Sequence, residues 1–92
     1  MQKTKEYTIT ATGHTAWTVI EAEHASFYGV HGNHRACWQA RGACEDTIKD
    51  FLLKNLIDWF WFEIISAKSI DTSGTPIPYK CEITFRVAIE PA

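Results

Sequence analysis

The chain of 92 residues contains no long hydrophobic run and no regular cysteine spacing. Its most apolar stretch, residues 56–67, is interrupted by Asp58 and Glu63, and it is shorter than the ~20 apolar residues that span a bilayer. The first residues lack the apolar segment of a secretory signal, so none is expected. The three cysteines show no disulfide-scaffold spacing. We therefore expect a cytoplasmic protein that has no membrane partner.

Acidic residues are absent from one stretch, which runs from His24 to Cys44. This acid-free window holds two of the three arginines and three of the four histidines, in a chain whose net charge is −2. Cationic side chains without carboxylates suit an anionic partner, and loops carry function more often than cores do. A polar loop without a partner is the alternative. The residues that we expect to contact a partner are Tyr28, His31, Asn33, His34, Arg35 and Arg41.

No arrangement of side chains identifies a catalytic or metal-binding chemistry. Cys37 and Cys44 are metal-ligand types, but zinc sites usually present tighter pairs such as Cys-x-x-Cys. On a helix, these two cysteines fall on an apolar stripe, so we expect them in the core. Glu21 and Glu23 would share one face of a strand, which we interpret as solvated rather than as an acid–base pair. A chain this short also has little room for a substrate cleft, so we expect no enzyme activity, metal or cofactor.

The spacing of apolar residues predicts the secondary structure. Residues 7–12 alternate in character and residues 17–22 resume strand-forming types after Gly13, which predicts a hairpin. From Asn33, a predicted N-cap, apolar positions recur every three or four residues as far as Asn55 and predict a helix. Gly42 is a potential break in that helix.

The second half of the chain predicts another hairpin. Residues 59–65 are rich in strand formers, residues 71–78 are typical of a turn, and residues 79–90 alternate between apolar and polar types. The predicted order is therefore β-β-α-β-β. We expect one α+β domain over residues 1–92, with two layers: a four-stranded antiparallel sheet of two hairpins packed on one main helix.

Four consecutive aromatic residues, Trp59 to Phe62, leave two interpretations open. In a strand with Phe62 and Ile64 facing inward, both tryptophans of the run lie on the outer face or under a loop, as at a contact surface. If the helix and the strand meet at this point, all four aromatic rings are buried instead.

As a whole, the chain resembles small phage-encoded anti-CRISPR proteins, in particular inhibitors of the type I-F CRISPR surveillance (Csy) complex. The resemblance covers the whole chain and rests on its size, its predicted element order, the lack of an enzyme signature, and two stretches. These are Tyr7-Thr8-Ile9-Thr10-Ala11-Thr12-Gly13 and Trp59-Phe60-Trp61-Phe62. No diagnostic motif carries the resemblance, because these inhibitors share none.

The resemblance implies a stoichiometric inhibitor in the cytoplasm of an infected bacterium. Such inhibitors bind Cas proteins of the CRISPR ribonucleoprotein complex and block binding or pairing of target DNA. Many are strongly acidic DNA mimics, and the net charge of −2 departs from that pattern. The acid-free window instead suggests contact with guide RNA or an acidic protein surface. We expect no binding to free duplex DNA; the alternative function is a small nucleic-acid-binding or regulatory α+β domain.

Overall fold

The sheet contains three strands among the described residues, not the predicted four. A computed structural model describes residues 3–70 and 79–91. Its elements are β1 (Thr4–Thr12), α1 (His14–Ala25), a 3-10 turn (Gly29–His31), α2 (Arg35–Lys54), β2 (Trp61–Ile70) and β3 (Lys80–Ala88). The strands form one antiparallel sheet in the order β1-β3-β2. The α+β class is confirmed, but the order is β-α-α-β-β, and the predicted β-β-α-β-β order is wrong.

The segment predicted as the second strand is helix α1. Ala16, Val19 and Ala22 recur every third residue, and all three are fully buried. A strand would have divided these residues between its two faces, whereas a helix places them on one face. The strand-forming residues of this segment are therefore overridden by the burial of that face, because propensity is a weak preference beside tertiary packing. Glu21 and Glu23 consequently do not share a face.

Helix α2 confirms the predicted main helix, with two changes of detail. It begins at Arg35, and its N-cap is His34 rather than Asn33, because the Ala36 N–H donates to Nδ1 of His34 at 3.0 Å. The helix continues through Gly42 without a break. The predicted turn at residues 71–78 lies outside the described residues. None of the described helices is both long and apolar enough to cross a membrane.

Strand β3 is the central strand of the sheet and supplies most of its buried face. Its four inward residues are fully buried, whereas Lys80, Glu82, Thr84 and Arg86 point to the opposite face. The buried residues are Cys81, Ile83, Phe85 and Val87. This alternation confirms the strand predicted from residues 79–90, although β3 begins at Lys80. Both neighbouring strands pair with β3 in antiparallel register.

The two helices pack together through small side chains. Cys37 Sγ lies 3.8 Å from the Ala22 carbonyl oxygen, and the hydroxyls of Thr15 and Thr47 are 2.9 Å apart. These contacts make α1 and α2 antiparallel neighbours. Close packing continues into their connection, where a Cβ on Gly32 would lie 2.3 Å from Ser26 Oγ and 2.8 Å from Cys37 Sγ. A glycine is therefore required at position 32 by space.

We predict opposite stability effects for alanine at two glycines. Gly32→Ala should lower the free energy of unfolding by about 1–3 kcal/mol, because the new methyl group overpacks a buried site. Gly42→Ala is the matched control: no atom lies within 4 Å of its new Cβ, so better helix propensity should stabilise the protein by about 0.5–1 kcal/mol. Urea denaturation measures both values. Equal effects of the two substitutions would contradict the packing at Gly32.

Candidate binding surfaces

The connection between the helices forms an exposed surface that contains most of the predicted contact residues. Tyr28, Asn33, His34 and Arg35 are all exposed. Phe27, which the sequence analysis did not select, is 98% exposed and contacts the Tyr28 ring edge-on, with ring centroids 5.8 Å apart. These residues are called the loop surface hereafter: Phe27, Tyr28, Asn33, His34 and Arg35. Because they combine aromatic, amide and cationic groups, they suit contact with a polar or anionic partner.

Two other predicted contact residues bond to the protein itself. His31 is exposed, and its Nε2 lies 3.0 Å from the carbonyl oxygen of Ile65 in β2. Arg41 is partly buried, and its guanidinium donates a hydrogen bond to the carbonyl oxygen of Val30 at 2.5 Å. This second bond ties the 3-10 turn to α2. Both residues therefore hold the loop surface in position, a role that the sequence did not indicate.

A groove of about 390 Å³ separates the loop surface from the edge of β2. Its lining includes Phe27, Tyr28 and Val30 on one side and Ser66 to Lys68 on the other. His31 borders the groove, as does Glu23, whose carboxylate accepts a hydrogen bond from the Ser69 N–H at 3.3 Å. The carboxylate noted in the sequence thus has a structural contact. The groove therefore lies between the loop surface and the sheet and is lined by both.

A second exposed apolar surface lies at the end of α2. Leu53 is 74% exposed, Leu56 is 90% exposed and Phe60 is 56% exposed. Trp59 is 39% exposed and contacts the half-buried Phe62 ring at 5.1 Å. We call these four exposed residues the helix-end cluster: Leu53, Leu56, Trp59 and Phe60. The interpretation that buries all four rings is wrong, because Trp59, Phe60 and Trp61 are exposed. The other interpretation is confirmed, since Phe62 and Ile64 pack against the core.

Leu56 has an unusual backbone conformation for leucine, with φ at 55°. The Ile57 N–H donates to the Leu52 carbonyl and the Leu56 N–H donates to the Leu53 carbonyl. This is the Schellman arrangement that ends many helices, usually with glycine in the left-handed position. A leucine here costs strain energy and exposes a large apolar side chain at once. Such a residue is typical of a contact surface rather than of a stabilising helix end.

The sheet face opposite the helices is polar. Its cationic residues are Lys68, Lys80 and Arg86, and its acidic residues are Glu6, Glu63 and Glu82. Arg86 and Glu63 form a salt bridge at 3.0 Å. Threonines at positions 4, 8, 10 and 12 cover the β1 side of this face, and Trp61 is its one aromatic residue among the described strands. Equal numbers of opposite charges do not favour a phosphate backbone.

The three cysteines are buried in the core. Burial, together with Cys81 and Glu45 nearby, raises the pKa of the Cys44 thiol to about 12. Burial also raises the pKa of Cys81. Both groups are therefore held as neutral thiols, which are poor nucleophiles and poor metal ligands. Residues 3–70 and 79–91 contain no group of three or more His, Cys, Asp or Glu side chains that could hold a metal ion.

Comparisons of the chain with protein-family models, with curated protein sequences and with solved structures found no match.

We predict that Leu56→Gly stabilises the protein. Glycine adopts positive φ without strain, and little apolar burial is lost, so the free energy of unfolding should rise by about 0.5–1 kcal/mol. Leu53→Gly, one turn earlier and inside α2, should lower it by a similar amount. Chemical denaturation of both variants tests this difference. A loss of stability in both would show that Leu56 is held by contacts and not by strain.

We also predict that the thiols are unreactive in the native state. Because the raised pKa keeps Cys44 protonated and all three thiols are buried, a thiol reagent such as Ellman's reagent should label none of them rapidly at pH 8. After denaturation, all three should react. Rapid labelling of one thiol in the folded protein would contradict the core placement of that cysteine.

Proposed function

We propose that the protein is a stoichiometric inhibitor that binds Cas proteins of a CRISPR-RNA-guided surveillance complex and blocks target-DNA binding or hybridisation. The observation that carries this proposal is the loop surface. Its exposed residues are aromatic and polar, include Arg35 and contain no carboxylate. Protein contact surfaces concentrate binding energy in aromatic and arginine side chains of this type. The action is binding without catalysis, and its place is the cytoplasm of an infected bacterium.

The inhibitor proposal draws on the resemblance to anti-CRISPR proteins, and one of the features that carried this resemblance is wrong. Chain size and the two quoted stretches remain, whereas the β-β-α-β-β order is wrong. The rigid attachment of the loop surface adds a separate argument. His31 bonds to β2 and Arg41 bonds to the 3-10 turn, so little conformational entropy is lost when a partner binds.

The alternative function, a small nucleic-acid-binding or regulatory domain, has less support. Sheet-based RNA binders stack bases on exposed aromatic residues of the open face. Here that face carries a single aromatic residue, Trp61, among the described strands, together with balanced charges. Other exposed aromatic residues lie away from this face: Phe27 and Tyr28 on the loop surface, Trp59 and Phe60 in the helix-end cluster, and Trp17 and Trp38 on the helices. Guide RNA within the assembled complex remains a suitable neighbour for Arg35.

Reversal of one exposed charge tests the proposed contact. Arg35→Glu should weaken binding to the assembled ribonucleoprotein complex by at least about tenfold, or ~1.4 kcal/mol. Arg41 is unsuitable for this test, because it bonds to Val30 and its loss would disturb the fold. Binding is measured by biolayer interferometry, and target-DNA capture by electrophoretic mobility shift.

Lys49→Glu is the matched control, since Lys49 is an exposed cation of the same helix outside the acid-free window. It should leave binding unchanged. If Lys49→Glu weakens binding and Arg35→Glu does not, the contact lies elsewhere. Tight binding to naked oligonucleotides with a steep salt dependence would instead support the alternative function.

A further inference from the structure

The two edges of the sheet differ in how they are protected. The β2 edge has an irregularity between Ile64 and Ser66, and His31 and Glu23 bond to its backbone at Ile65 and Ser69. Bulges and capping side chains of this kind prevent an edge from pairing with another strand. The β1 edge has none of these features: its nine residues pair with β3 without a register shift. The Cys81 thiol of β3 bonds to the backbone of Ala11. Because Ala11 is the ladder partner of Cys81, this contact lies on the β3 side of β1 and does not cap the free edge.

The backbone hydrogen bonds of β3 point alternately toward β2 and toward β1. This alternation shows which N–H and C=O groups of β1 remain free to pair with another strand. The Ala88 carbonyl accepts from Phe60 on the β2 side, whereas the Ile89 N–H donates to the Lys3 carbonyl on the β1 side. In an antiparallel ladder, these directions alternate from residue to residue. Odd-numbered residues of β1 therefore bond to β3, and even-numbered residues direct both backbone groups toward the free edge. The even-numbered residues are Thr4, Glu6, Thr8, Thr10 and Thr12.

We propose that β1 pairs antiparallel with β1 of a second copy of this chain, with Thr8 opposite the partner's Thr8 on a two-fold axis. The two sheets would then join into one continuous sheet. This register aligns all nine residues of the strand, so every outward N–H and C=O group of β1 obtains a partner. It also keeps the helix-covered faces of both sheets on the same side, as the two-residue alternation of a strand requires.

Charge and burial favour this register for a second copy. Lys5 lies opposite the partner's Ala11, and Glu6 lies opposite the partner's Thr10. Registers centred on residue 5 or residue 6 would instead place like charges directly opposite each other, which is destabilising. On the helix side, Tyr7 lies beside the partner's Ile9. These two residues are only partly buried in the single chain and border its core, so pairing covers apolar surface as well as backbone.

Two lysine substitutions on the exposed face of β1 test the register. Thr8→Lys places two ammonium groups opposite each other at the axis, whereas Thr10→Lys places each new ammonium opposite the partner's Glu6. Cross-strand charge pairs therefore predict a dimer roughly tenfold weaker for Thr8→Lys than for Thr10→Lys. Sedimentation equilibrium over a range of concentrations measures the dissociation constants, and circular dichroism confirms that both variants fold.

Amide hydrogen exchange gives an independent test on the unmodified chain. In the dimer, the N–H groups of Thr8 and Thr10 should be protected from exchange nearly as well as those of Tyr7 and Ile9. Dilution to the monomer should abolish the protection of Thr8 and Thr10 but not that of Tyr7 and Ile9. A monomer at all concentrations, or rapid exchange at Thr8 and Thr10 alone, would overturn the proposal. Equal dissociation constants for the two lysine variants would also overturn it. Each of these results is independent of whether the chain inhibits a CRISPR complex.

Discussion

The fold depends on the burial of one face of β3. This strand is the only one of the described sheet with a neighbour on both sides, and its inward residues from Cys81 to Val87 are fully buried. The rings of Phe85, Tyr7 and Phe51 meet with centroids 5.4–6.0 Å apart, so β1 and α2 are packed against the same point of β3. The free energy of burying this apolar surface holds the helices on one side and leaves the other side to water.

The four most exposed large apolar residues lie at the ends of the two helices or just beyond them: Phe27, Tyr28, Leu53 and Leu56. The loop surface extends from the end of α1 to the first residue of α2, and the helix-end cluster extends from the last turn of α2 to the residue before β2. Phe27 and Leu56 are almost completely exposed, although burial of either side chain would stabilise the fold. Leu56 adds backbone strain to this cost. Connections tolerate such residues because they carry little of the packing, which leaves them free for contact with a partner.

His31 and Arg41 stabilise the fold through hydrogen bonds to backbone carbonyl groups. Both lie in the acid-free window and were expected to contact a partner. In the folded chain, His31 protects a carbonyl group of the β2 edge and Arg41 holds the 3-10 turn against α2. The absence of acidic residues then has two effects. No carboxylate of the acid-free window competes with the Val30 carbonyl oxygen for the Arg41 guanidinium, and none pairs with Arg35, which is exposed at the surface. One pattern of charge thus supports both the fold and the candidate site.

Local periodicity in the sequence determined α2, β1 and β3, because each presents a clear apolar face with the repeat of a helix or a strand. Periodicity also placed Cys37 and Cys44 in the core, and the acid-free window selected four residues of the loop surface. Residues 17–22 were assigned wrongly, because their strand-forming types outweighed the three-residue spacing of Ala16, Val19 and Ala22. Only the tertiary structure decided that this segment is a helix, that β3 lies at the centre, and that one sheet edge is capped while the other is open. Those features depend on contacts between residues far apart in the chain, which a pattern of neighbouring residues does not encode.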